Sequence, residues 1–154
     1  MSTTNRNKSV LKRELERLVI HANDSVKGYE KAADCVSDQS PELNAFFLNH
    51  AAVRADYAEK LNERLELIGE ESKERGSAEG SMHRGLISVK DMFTSNENPE
   101  AIIKEAIRGE EKLIDYIQDT FDDAEIMDEA TAKAILDLRA DVQTSLEELR
   151  RKEA

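Results

Sequence analysis

A chain of 154 residues with 22 Lys plus Arg against 33 Asp plus Glu has a formal net charge of −11 and suits one domain. Such an acidic balance works against general nucleic-acid binding, which needs a basic face to displace counterions, and against anionic membrane surfaces. The single cysteine, Cys35, excludes an intramolecular disulfide and a cysteine-based zinc site, and no apolar run approaches the ~20 residues that span a bilayer.

Met1 to Ser9 is polar and lacks the apolar core of a signal peptide, so residues 1–8 are expected to form a flexible tail. The lone thiol fits a cytoplasmic location.

The first predicted helix spans about 9–36, with Ser9 as its N-cap. Leu11, Leu15, Leu18, Ala22, Val26, Tyr29, Ala33 and Val36 recur at three- and four-residue spacing and make one stripe. The second spans about 40–69. Ser40-Pro41-Glu42 opens it with a cap, a proline at the first helical position and an acid in the first turn, and Gly69 is a natural stop. Its stripe holds Leu43, Phe46, Phe47, Tyr57, Ala58, Leu61, Leu65 and Ile68.

Asn98-Pro99-Glu100 repeats the opening signal for a third helix over about 98–121, whose stripe includes Ile103, Ala106, Ile107, Leu113, Ile114 and Ile117. The fourth covers about 125–150 through Met127, Thr131, Ala134, Ile135, Leu138, Val142, Leu146 and Leu149. No segment alternates apolar and polar residues for long enough to suggest a strand.

Between the second and third helices lies a segment, 70–97, too long for a tight turn. Met82, Leu86, Val89 and Phe93 predict a short helix inside it. The expected fold is all-α, a ferritin-like four-helix bundle over 9–150 in which this segment is the long crossover. A simple up-down-up-down bundle with the segment across one end is the alternative. The apolar segment could also lift off to receive a partner helix.

Polar groups on apolar stripes mark the candidate site. Glu110 projects onto the middle of the third stripe, and an unpaired buried carboxylate costs several kcal/mol or neutralises itself. Arg54, between Phe47, Ala58 and Leu61, is its expected partner in a bidentate pair, with His50 one turn earlier adding a hydrogen bond. Glu30 lies on the flank of the first stripe, His21 points away from the core, and Asp137 and Asp141 lie at the edge of the fourth helix or outside it.

Di-iron and di-manganese bundles draw on Glu-x-x-His pairs, because i, i+3 spacing puts both ligands on one face. Leu18, Phe47 and Gly80 stand three residues before His21, His50 and His83, so the pattern is absent, and Arg54 puts a fixed positive charge where a metal would sit. No cofactor is expected. The alternative is a partial iron or manganese site built from Glu30, His50 and Glu110. No Gly-rich phosphate loop occurs. The basic residues Arg6, Lys8, Lys12, Arg13 and Arg17 are offset by Glu14 and Glu16 and read as a solvated face.

Four segments carry a resemblance. Gly28-Tyr29-Glu30-Lys31-Ala32-Ala33, Ala52-Val53-Arg54-Ala55-Asp56-Tyr57, Met82-His83-Arg84-Gly85 and Arg108-Gly109-Glu110-Glu111 occur in the order seen in a bacterial family of ferritin-like four-helix bundles known only as a domain of unknown function. The chain resembles that family over most of its length, while its fourth helix matches only in general pattern. The resemblance implies a ferritin-like bundle with a crossover in a bacterial, cytoplasmic, stress-associated protein. It supplies no reaction. The reading that follows is a non-catalytic bundle that associates with itself or with another protein, without nucleic acid or membrane.

Overall fold

The computed structural model describes residues 2–71, 98–124 and 127–153. Among them the chain forms four α-helices and no strand: α1 (Ser2–Val36), α2 (Pro41–Glu71), α3 (Pro99–Asp123) and α4 (Glu129–Glu153). The expected short helix with Met82, Leu86, Val89 and Phe93 lies outside the described residues.

Local chemistry sets most helix ends. Ser40 Oγ accepts from the Leu43 N–H at 3.1 Å, and Asn98 Oδ1 accepts from the Ala101 N–H at 2.8 Å, so each cap satisfies a donor the helix cannot. A turn in which the N–H groups of Gln39 and Ser40 both donate to the Val36 carbonyl joins α1 to α2. Asn44 Nδ2 then donates to the Ala33 carbonyl at 2.9 Å and ties the two helices together. The last turn of α4 carries Arg150, Arg151 and Lys152, which suit the negative end of the helix dipole.

Several boundaries differ from the sequence reading. The helix α1 begins at Ser2, so the expected tail over 1–8 is helical from its second residue and Ser9 is not a cap. No Pro or Gly interrupts Ser2–Ser9, and extending an existing helix costs far less than nucleating one. The helix α2 runs through Gly69 to Glu71. The helix α4 starts at Glu129 because Asp128 caps it: its carboxylate accepts from the Thr131 N–H at 3.2 Å and from the Thr131 hydroxyl at 2.6 Å.

The helix α1 packs on α2 and α3, and α4 packs on the same two, leaving α1–α4 and α2–α3 as the diagonals. The buried side chains form two apolar clusters. One joins Tyr29 to Val36, Phe47 and Ala51, Ile102 to Ile107, and Leu146 and Leu149. The other joins Leu11 to Ala22, Ala58 to Ile68, Leu113 to Ala124, and Ala134 to Val142. Hence α1 and α4 end where α2 and α3 begin. The two clusters meet at a gap in every stripe: Ala22 and Tyr29 flank Ser25, Ala51 and Ala58 flank Arg54, Ile107 and Leu113 flank Glu110, and Val142 and Leu146 flank Ser145. Those four residues, one from each helix, are all polar.

Candidate functional site: a buried arginine layer

Arg54 is 0% exposed and is one of the largest fully buried side chains. A guanidinium cannot be deprotonated away, so its five donors need acceptors. The bundle supplies them from three other helices. Nη1 donates to Glu110 Oε1 at 2.9 Å and Nη2 to Glu110 Oε2 at 2.6 Å, a bidentate pair. Nε donates to Asp141 Oδ2 at 2.8 Å. Nη1 also donates to Ser25 Oγ, and Nη2 to Ser145 Oγ at 3.3 Å. Burial would pull Arg54 down, but the hydrogen bonds and charge of Glu110 outweigh it, so the guanidinium is held above its ordinary value.

The layer continues outward. Ser145 Oγ lies 3.0 Å from His50 Nδ1, and His50 Nε2 lies 3.7 Å from Glu148 Oε1, whose side chain reaches solvent. Tyr29 stacks on His50 with ring centroids 5.6 Å apart and stands 5.5 Å from the Arg54 guanidinium carbon. The Tyr29 hydroxyl is buried beside Glu110 and Ser145 without a well-formed hydrogen bond to either. Burial, then the neighbouring Glu110 charge, pushes its phenol well above the ordinary tyrosine value.

The structure therefore brings Arg54, Glu110 and His50 into one network through Ser145. It does not bring Glu30 there: Glu30 is exposed on α1. With Glu30 outside and both Glu110 oxygens engaged by Arg54, the partial set Glu30, His50 and Glu110 is not assembled. Among the described residues no group of three or more His, Cys, Asp or Glu side chains is placed to hold a metal ion.

Sequence reasoning missed four members. Asp141, read as edge or outside, turns inward onto Arg54. Ser25 and Ser145 were legible as small hydroxyl residues on the α1 and α4 stripes, in step with Ala22 and Tyr29 and with Val142 and Leu149. Tyr29 reads as an ordinary core aromatic until its hydroxyl is located. His21, expected to point away, is half-buried and stacks on Tyr116 with centroids 3.6 Å apart. Its imidazole is held below the ordinary histidine value by burial and by nearby Arg17. Glu14, taken as part of a solvated face, is 4% exposed.

A cavity of about 340 Å³ opens between α1 and α3 beside this layer. Ser25, Tyr29 and Glu110 line it, and so do Gly28 and Gly109.

The fold and the layer define an all-helical bundle organised by one buried arginine. The chain belongs to the family described as Domain of unknown function (DUF2383), whose model matches residues 11–123. That match takes in Ser25, Tyr29, His50, Arg54 and Glu110 and stops before Asp141 and Ser145. No curated protein and no solved structure matches the chain.

Proposed function

We propose that this protein is a non-catalytic, ferritin-like helical bundle that acts by associating with itself or with another protein. The observation that carries this reading is the position of Arg54. Its guanidinium stands at the centre of the bundle between Glu110 and Asp141, where a dinuclear carboxylate bundle would hold cations. The carboxylates serve a resident positive charge and fix the register of the helices.

The ferritin-like affiliation is supported by α2 and α3 beginning at the same end of the bundle, which a crossover through 72–97 would connect. The sequence resemblance supports a bacterial, cytoplasmic setting with a link to stress. No helix among the described residues is long and apolar enough to cross a membrane.

The test is direct. The protein is purified without chelator, analysed for bound metal, and the apo form is titrated with ferrous iron in air. The reading expects no stoichiometric metal and no oxidation above background, together with a defined oligomer or a captured partner in light scattering. About two metals per chain with rapid oxidation would overturn it and return Glu110 and His50 to the role of ligands.

A further inference from the structure

Tyr29, His50 and Ser145 meet where the polar layer turns toward solvent. His50 is buried, with Tyr29 stacked on it at 5.6 Å and Phe46 against it at 4.4 Å between ring centroids. These two rings hold the imidazole in place, so each nitrogen keeps its neighbour. Nδ1 lies 3.0 Å from Ser145 Oγ, and Nε2 lies 3.7 Å from Glu148 Oε1. A carboxylate only accepts. Glu148 therefore selects the neutral tautomer that carries its proton on Nε2, which leaves Nδ1 to accept from the Ser145 hydroxyl.

Ser145 is the pivot. Its oxygen accepts from Arg54 Nη2 at 3.3 Å, and its single proton can serve one neighbour at a time. While that proton lies on His50, the Tyr29 hydroxyl beside it receives none and stays poorly bonded. An imidazolium donates from both nitrogens. Nδ1 then donates to Ser145 Oγ and takes its second lone pair. The serine proton is displaced, and Tyr29 Oη is the acceptor that remains beside it.

The charged surroundings of His50 come from every helix. The helix α4 brings Glu148, and Lys152 stands 4.6 Å over Phe46 at the rim. The helix α2 brings Arg54, joined to His50 through Ser145 and held by Asp141 of α4. The helix α1 brings the Tyr29 phenol, and Glu110 of α3 lies behind it. A proton arriving at His50 is thus met by a carboxylate on the solvent side and passes its effect inward through one hydroxyl.

We propose that His50 and Ser145 form a proton-driven hydrogen-bond switch, in which a proton taken up by His50 from solvent turns the Ser145 hydroxyl from His50 to Tyr29 and completes the bonding of the buried phenol. The added proton stays on the imidazole and the serine proton only turns, so the charge changes by one at His50 alone. The switch lies within the polar layer and stands whether or not the bundle associates.

The full chain, isotope-labelled in its histidines and tyrosines, is followed by NMR from neutral to mildly acidic pH. At the neutral end the His50 ring should carry its proton on Nε2. As His50 takes up a second proton, the Tyr29 Cζ shift should move with the same midpoint. In Ser145→Ala, His50 should still titrate while Tyr29 stays still. Tyr29→Phe keeps the ring on His50 but removes the acceptor for the serine proton, and should weaken proton binding at His50 several-fold. That variant covers the case in which Ser145→Ala does not fold. A neutral ring protonated on Nδ1, a Tyr29 signal that ignores His50 or still follows it in Ser145→Ala, or proton binding undiminished by Tyr29→Phe would overturn the proposal. So would a His50 that takes up no proton before the protein unfolds.

Discussion

Arg54 on α2 and Glu110 on α3 sit on diagonal helices and hold each other through two parallel hydrogen bonds of 2.9 and 2.6 Å. Neighbouring helices in the bundle can pack through apolar ridges alone, but a diagonal pair meets only through a side chain long enough to cross the core. With Asp141 and Ser145 on α4 and Ser25 on α1 joined to the same guanidinium, one residue contacts every other helix of the described bundle.

This geometry makes single changes costly and paired changes mild. Glu110→Leu leaves a buried guanidinium with Asp141 as its remaining carboxylate, and Arg54→Leu strands Glu110; each should lower stability, the second by about 3–5 kcal/mol in a urea melt. The double variant should recover much of the sum, falling short because Asp141 also loses its partner. Neutral single variants would show that the layer does not hold the bundle together.

Tyr29→Phe should act in the opposite direction. Its hydroxyl is buried beside Glu110 and Ser145 without a well-formed hydrogen bond, and a fully unsatisfied group costs about 1–3 kcal/mol relative to water. Removing it while keeping the ring on His50 should raise stability by about 1 kcal/mol, read as a shift of the denaturation midpoint at constant slope.

The His21–Tyr116 stack predicts a pH dependence. Burial first, and Arg17 second, hold the His21 imidazole below its ordinary value of 6.5. The unfolded chain therefore binds a proton that the folded chain resists. The contribution is fully present above 6.5 and is lost as pH falls from there toward the lower folded value. Its slope cannot exceed about 1.4 kcal/mol per pH unit. Melts between neutral and mildly acidic pH should steepen for the native protein relative to His21→Gln; parallel curves would remove His21 from the account.

At the far end of the bundle, Asp128 caps α4 and receives Arg64 Nη2 at 2.8 Å, while Arg64 Nε donates to the Thr131 hydroxyl at 3.2 Å. Burial works against its carboxylate, yet the bonds from Thr131 and the charge of Arg64 hold it below the ordinary aspartate value. Asp128→Ala should cost about 1 kcal/mol. The native cap contributes above pH 3.8 and loses that contribution as pH falls through its lower folded value. A variant that melts with the parent at neutral pH would show that the cap does not matter there.

How much of the site could be read in advance depended on the size of each contradiction. Glu110 and Arg54 stand out because a charge in a run of Ile and Leu demands a partner. Ser25 and Ser145 do not stand out, since a serine in a stripe is small enough to be ignored. Asp141 lies at the edge of its stripe, and a slight rotation of α4 decides whether it meets solvent or Arg54. Glu30 sits equally near the edge of its own stripe and turns outward.

Four long helices among the described residues, and the starts of two of them, are legible in the amino-acid sequence, because capping, helical period and proline placement act within a few residues along the chain. The sequence also determined that Glu110 had to be neutralised. Only the packing of the helices shows that Arg54 is shared by two carboxylates and two serines, that the polar layer parts two apolar clusters, and that the Tyr29 hydroxyl is buried beside that layer. Those facts depend on the rotation and axial offset of helices far apart in sequence, and no local pattern encodes either.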